Sequence, residues 1–441
     1  MRKILLLFLA VFLISAYPLA LLLRSTPTDL QLVTPLKVVG TATPVRLLAL
    51  NPHGVRRLSA SLIQGPESYP LYSYSEPAKR WSWRRKAETP RMFEFVAGKS
   101  KGPGLRDGKA QLVLEAVSND LRARRDALTI DVEVNTQPPR LAVDEGQHYL
   151  NTGGAEMITF TAGGYWTEAG VRIGHYTFRS FPIPGANSQN RRLCLFAYPL
   201  DVPEGTKPEV YARNPSGAEV RAGFWHKIFE KKYRMREMHV SDAFLKKVFE
   251  ELDRGGKGDV VARFVKINND MRKANNQALS ELRLQTADRF LWRAPFRQLA
   301  NSSVEAQFFD VRRYFYNGQS VDQQVHFGFD LAVTARTPVE AANDGRVVWA
   351  APLGIYGNTV VVDHGLGLQS LYAHLSEILV KPGDEARRGQ TIGRSGATGM
   401  AGGDHLHFGM QVDGVPVNPV EWWDGHWIED RILTNLRKNQ K

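Results

Sequence analysis

Cysteine is almost missing from this chain: Cys194 is the single one in 441 residues. One thiol excludes an internal disulfide, although the lack of disulfides does not by itself fix a compartment. Cys194 lies in "RRLCLFAYP" (191–199), an apolar run that reads as a buried strand with no catalytic partner nearby, so a small core residue is expected. Internal repeats and low-complexity tracts are absent as well. So are helix-turn-helix, zinc-finger and RNA-recognition signatures, and nucleic acid is therefore not expected as a partner. Acidic residues fall short of basic ones, 45 against 57, which leaves a net charge of +12 and a pI near 9.6. That balance favours anionic surroundings such as a membrane surface or an acidic wall polymer, or serves solubility alone.

What is present begins with one long apolar run. Arg2 and Lys3 precede "ILLLFLAVFLISAYPLALLL", residues 4–23, which Arg24 closes. A helix of that length spans about 30 Å, the thickness of a bilayer core. Small residues suited to signal cleavage are poorly placed, so residues 1–27 are expected to be an uncleaved signal anchor, a transmembrane helix. Positive charge at the short N-terminal end puts the rest of the chain outside the cytoplasm, on the periplasmic or cell-wall side.

Beyond the anchor come short alternating runs, among them 36–40, 45–50, 91–98 and 110–117. The clearest is "ALTIDVEV" (127–134), where Leu128, Ile130, Val132 and Val134 alternate with Thr129, Asp131 and Glu133. Strands at this spacing predict a β-sandwich of immunoglobulin-like type over 28–137, and a second strand-rich stretch predicts another over 138–225. The period then changes. Ser241-Asp242 offers a helix start, and 259–285 reads as a longer helix with Val261, Phe264, Val265, Met271, Ala274, Ala278 and Leu282 on one stripe. A helical connector is expected over 226–285, a strand-rich domain over 286–428 and a basic tail over 429–441.

Five of the eleven histidines crowd between His326 and His407. The scattered others (His53, His148, His175, His226, His239 and His426) read as surface or packing residues. His405 and His407 sit in "GGDHLHFGMQVDG", a strand running into an Asp413-Gly414 hairpin, and residues i and i+2 of a strand share a face. His326 and Asp330 bracket "HFGFD". In an extended strand they would stand about 13 Å apart, too far to share a metal, so sharing one requires a bend near Gly328. His374 falls in "LQSLYAHLS", a further strand. Three N/O ligands with an open fourth position describe a catalytic zinc site, and two spare imidazoles suit proton transfer or oxyanion stabilisation. Spacing alone leaves open which imidazoles bind metal.

Taken together, these motifs resemble a known family. The stretch from about 290 to 428 is similar to the catalytic domain of the LytM/lysostaphin-type zinc metallopeptidases, which cut peptide bonds in bacterial cell walls. Its His-x-x-x-Asp motif matches His326 and Asp330, and its His-x-His motif matches His405 and His407, followed by Phe408. "TPVEAANDGRVVWA", "GIYGNTVVVDHG", "LYAHLS" and "VKPGDEARRGQTIGRSGATG" supply the intervening landmarks. The resemblance implies one zinc ion held by His326, Asp330 and His407, with His374 and His405 as the catalytic pair. It makes His405 the base toward water, gives His374 the oxyanion and the orientation of the water, and makes peptidoglycan cross-links the substrate. His364 and Asn358 are expected to be structural. Asp404 and Gly409 depart from the proline and glutamate common in relatives, which bears on substrate preference and not on the five positions.

The chain is thus read as mainly β: a membrane-anchor helix, two β-sandwich domains, a helical connector and an all-β catalytic domain of LytM type. Peptidoglycan, the cytoplasmic membrane and a protein partner on the β-sandwich domains are the expected contacts. A cupin-like barrel fits Gly-x5-His-x-His but wants a glutamate where Gln411 and Val412 stand, and it leaves His326, Asp330 and His374 unused. A non-enzymatic scaffold of the same fold would be expected to have lost ligands.

Overall fold

The computed structural model describes residues 25–78, 87–186 and 188–439. The expected anchor's apolar run lies outside them, and among the described residues no helix is long and apolar enough to cross a membrane. The fold is mainly β. It divides into two compact units: residues up to 139 with 164–167 and 213–220, and residues 140–163, 168–212 and 221–441.

In the first unit, a five-stranded sheet runs in the order Val38–Val39, Arg125–Val134, Gly108–Ser118, Val55–Gln64, Glu67–Ser75. A three-stranded sheet has the order Asp29–Leu32, Thr43–Leu50, Arg91–Ala97. Alternation decides which side chains point inward. Leu58, Ala60 and Leu62 meet Ala110, Leu112, Leu114 and Ala116 from one sheet and Val45, Leu47, Phe93 and Phe95 from the other, in a single core. Full burial of each such leucine contributes about 1.5–3 kcal/mol.

The second unit opens with a sheet in the order Phe181–Pro182, Arg191–Ala197, Ala155–Gly163, Arg140–Val143. Cys194 is a fully buried member of it, and burial pushes its thiol pKa up, which keeps it inert. The helical stretch starts at Asp242 and not at 226. His226–Phe229 is instead a strand parallel to His148–Asn151, and Met235–His239 is a strand parallel to Val311–Tyr316. Such pairings to distant segments leave no local trace in the sequence. Ser241 caps the helix Asp242–Leu252 by accepting a hydrogen bond from the Phe244 amide. The long helix is interrupted: Val260–Lys266 passes through a π-turn, Ile267–Met271, into Arg272–Glu281. Phe264 and Leu282 of the expected stripe are buried, but so are Ile267 and Leu279 outside it, while Ala274 is exposed.

The strand-rich C-terminal part is built on one antiparallel sheet in the order Ser303–Ala306, Phe329–Ala332, His405–Val412, Leu368–Leu375, Asn358–Asp363, Gly345–Pro352, Glu385–Ala386. Leu406, Phe408, Met410 and Val412 bury one face of the strand His405–Val412. Its other face carries His405, His407, Gly409 and Gln411. The helix Arg272–Glu281 and the turn after it lie against that second face. Gln411 donates to the Leu279 carbonyl (3.0 Å), and Gln369 donates to that of Leu282 (2.9 Å). The expected basic tail is no tail. Helical turns run from Gly425 to Asn439, and Ile428 and Ile432 are buried, because apolar residues are spaced four apart among the charges.

Glu421, on the short helix Pro419–Trp423, is buried and accepts hydrogen bonds from Asn151 Nδ2 (2.8 Å) and the Ala155 amide (2.7 Å). Burial pushes its pKa up to about 7, against these two bonds. The folded value thus exceeds the ordinary 4.5, so stability is full below pH 4.5 and falls as pH rises toward 7. Glu421→Gln is expected to flatten that fall, worth up to about 3 kcal/mol, in thermal unfolding scans between pH 4.5 and 8. An unchanged slope would assign the pH dependence to other groups.

Candidate metal centre and its imidazoles

Strand pairing assembles the site. Asp330 stands directly opposite His407 in the register of Phe329–Ala332 against His405–Val412, and Ala332 opposite His405 leaves that imidazole room. His326 precedes this strand, and the chain bends at Gly328 to bring it back. Glycine is required there by close approach. A Cβ at 328 would lie 2.6 Å from the Phe408 carbonyl and 2.7 Å from the His407 ring.

Three atoms converge. His326 Nε2 lies 2.9 Å from Asp330 Oδ1 and 2.9 Å from His407 Nδ1, and His407 Nδ1 lies 3.0 Å from Asp330 Oδ1. Next to them the rings of His374 and His405 are 4.9 Å apart, and His405 Nε2 is 3.5 Å from Asp330 Oδ1. All five residues singled out from the sequence therefore meet in one place. His364 and Asn358 do not join them. His364 is buried between the Asp344 carbonyl and Ser370, and Asn358 braces the Leu375 carbonyl.

Backbone carbonyls fix the tautomers, because a carbonyl can only accept. His326 Nδ1 faces the Gln307 carbonyl, His374 Nδ1 that of Thr398, and His405 Nδ1 that of Gly403, each at 2.9 Å. Each Nδ1 thus carries the proton, and each Nε2 turns a lone pair toward the centre. In His326 that lone pair faces a carboxylate oxygen at 2.9 Å. Two acceptors in contact repel, and a cation held between them and His407 Nδ1 turns the repulsion into attraction. Donor type, spacing and number fit zinc, whose nitrogen and oxygen bonds are about 2.0–2.2 Å.

The electrostatics separate the two outer imidazoles. Burial holds His374 well below the ordinary imidazole pKa, reinforced by His405 and His407. Burial also opposes the charge on His405, but Asp330 outweighs it and raises its pKa. Asp330 stays ionised. Burial pushes its carboxyl up, yet the facing imidazoles hold it well below the carboxylate range. Its second oxygen, Oδ2, pairs with the Arg312 guanidinium.

Two features escaped the sequence: Arg312 and the backbone of His374. His374 has φ of 61° inside the strand Leu368–Leu375, where the pairing with Asn358–Asp363 slips register. Such a conformation costs a non-glycine residue about 1–3 kcal/mol and persists only where its surroundings over-determine it.

Peptidase family M23 matches residues 324–419. The chain is 42% identical over 97 residues to the DD-carboxypeptidase/endopeptidase Mpg of Neisseria meningitidis serogroup B, covering 22% of each chain. It is 46% identical over 96 residues to the peptidoglycan DD-endopeptidase ShyA of Vibrio cholerae, again 22% of each. It thus spans about a fifth of the length of these curated relatives. Among solved structures, the lysostaphin catalytic domain of Staphylococcus simulans is 30% identical, over 28% of this chain and 92% of its own, with a TM-score of 0.24. The segment 324–419, which holds all five converging residues, is a domain of peptidase family M23.

Proposed function

We propose that the protein is a zinc-dependent endopeptidase that hydrolyses peptide cross-links of bacterial peptidoglycan. One observation carries the reading. Within the family-matched segment, His326, Asp330 and His407 form a ligand triangle, and two further imidazoles stand beside it with opposite pKa shifts. The name of ShyA, a peptidoglycan DD-endopeptidase, supports peptidoglycan as the substrate.

A zinc ion held by the three ligands would supply Lewis acidity toward the scissile carbonyl and toward water. The chain's own residues do the rest. His405, whose Nε2 lone pair faces inward and whose pKa is raised, accepts the proton of the attacking water and returns it to the leaving amine. His374 is an acceptor at Nε2, because its Nδ1 proton is committed to Thr398. It therefore orients the water, and donation to the oxyanion would require a protonation that its burial opposes. A groove of about 830 Å³ runs beside the site. Phe327, Tyr356 and Gly409 line it near the ligands, and Asn276 and Gln277 of the helix Arg272–Glu281 line it farther out. Such amides match the donors and acceptors of an extended peptide. The membrane anchor, the extracytoplasmic location and a spacer or partner role for the two β-sandwich regions belong to the same proposal.

The test incubates the purified, zinc-loaded protein with isolated peptidoglycan, with and without a chelator, and reads the products by mass spectrometry. New amino termini that vanish with chelator are expected. No cleavage of several wall types by folded, zinc-loaded protein would overturn the reading and favour a non-enzymatic scaffold.

A further inference from the structure

Lys247 lies about 80 residues before the family-matched segment, on the helix Asp242–Leu252, yet it reaches into the loop that leads to His405. Its ammonium donates to the carbonyls of Ala397, Gly399 (3.0 Å) and Ala401 (2.8 Å). An ammonium has three hydrogens, and all three are spent on one loop. Glu251, one turn along the same helix, accepts from the Gly399 amide and lies 3.9 Å from the Lys247 ammonium.

The gripped loop is the one that sets the imidazoles. The Thr398 carbonyl, between two of the three gripped carbonyls, accepts the His374 Nδ1 proton. The Gly403 carbonyl, two residues past the third, accepts that of His405. Thr398 Oγ1 also donates to the Leu375 carbonyl at 2.9 Å, next to the left-handed His374. Left to itself the loop "SGATGMAGGD" (395–404) has four glycines and little to hold one conformation. The Ile355 carbonyl, which accepts from the Met400 amide, and the Asn358 amide, which donates to Thr398 Oγ1, hold it in part; the helix holds the three carbonyls at 397, 399 and 401.

We propose that Lys247 is a positioning residue that clamps the 397–401 loop, so that its carbonyls fix the tautomer and aim of His374 and His405. The proposal rests on the catalytic reading of those two histidines. It places a requirement for turnover on a helix that the family match does not include. Lys247 touches none of the three proposed zinc ligands, so metal affinity is expected to hold without it.

The test compares Lys247→Met, Lys247→Arg and the unsubstituted protein on a soluble cross-linked peptidoglycan fragment. Lys247→Met is expected to lower kcat by about 10- to 100-fold, the scale of a roughly 1 Å misplacement, while KM and zinc affinity hold. Amide hydrogen exchange over 396–404 is expected to rise, with or without zinc, and the rest of the domain to stay protected. Lys247→Arg, which keeps charge and several donors, is expected to recover part of kcat. Wild-type kcat in Lys247→Met, unchanged exchange in the loop, or a kcat loss that tracks zinc loss would each overturn the proposal. His374→Ala in the same assay separates the two readings. Full activity there overturns the catalytic reading itself, whereas its loss beside a wild-type Lys247→Met overturns only the clamp.

Discussion

Replacing His374 by alanine is expected to lower kcat by about two to four orders of magnitude, the usual contribution of a positioned acid–base group. KM is expected to change little, because the ring, held by Thr398 and buried among His405 and His407, meets the water more than the peptide. His405→Ala is expected to cost a similar factor. The double variant should lose much less than the product of the two, since in the proposed mechanism the pair acts on one water. Backbone strain gives this site a second readout. Alanine at φ of 61° keeps the strain of the left-handed region, whereas glycine adopts it without penalty. His374→Gly should therefore be as inactive as His374→Ala yet more stable by about 1 kcal/mol, measured by denaturant unfolding. Turnover within threefold of wild type in His374→Ala would remove the residue from the mechanism. Equal stability of the two variants would mean that the strand relaxes once the imidazole is gone.

The convergence of the five residues was legible because their chemistry is written in residue types at short spacing. His405 and His407 share a face by strand periodicity alone, and the glycine between His326 and Asp330 signalled the bend that joins them. What surrounds them was not legible. Arg312 is one of 57 basic residues, and only the approach of two different sheets shows that it faces Asp330. Lys247 meets its carbonyls across 150 or more positions, a distance over which no pattern survives. The same limit shaped the fold. The strand Arg125–Val134 was plain from its alternation, whereas Val55–Gln64 and Glu67–Ser75 were missed. Arginines and serines occupy the outward positions of the first, and Pro70 interrupts the second at a register shift. In the helical stretch Phe264 and Leu282 are buried as the period implied, but the π-turn at Ile267–Met271 breaks the regularity, and Ile267 and Leu279 are buried outside the expected stripe.

Asp330→Ala is expected to abolish high-affinity zinc binding and also to destabilise the metal-free protein. Loss of a charged ligand explains the first effect. The second comes from Arg312, whose guanidinium is mostly buried and pairs with the oxygen of Asp330 that faces away from the imidazoles. Burial opposes its charge, and the pairing with Asp330 outweighs that opposition and raises its pKa. Removing the carboxylate leaves a buried, uncompensated cation, at a cost of about 3–5 kcal/mol. Unfolding measured with a chelator present excludes the metal's own contribution to stability. Under those conditions Asp330→Ala/Arg312→Met should recover most of the loss, since the stranded charge is gone, while zinc affinity stays lost. The sign of the pH dependence is fixed too. A carboxyl held below its unfolded value of 3.8 contributes stability above that pH and loses it as the pH falls through the folded value. The gap between wild type and Asp330→Ala should therefore be full near neutrality and narrow on acidification below about pH 4. If Asp330→Ala were as stable as wild type in chelator, Arg312 would have reached solvent by rotating outward. Asp330 would then be a ligand whose second oxygen contributes nothing to the fold. The expected coupling has a chemical consequence: with Oδ2 held by Arg312, Asp330 would offer a zinc ion Oδ1 alone.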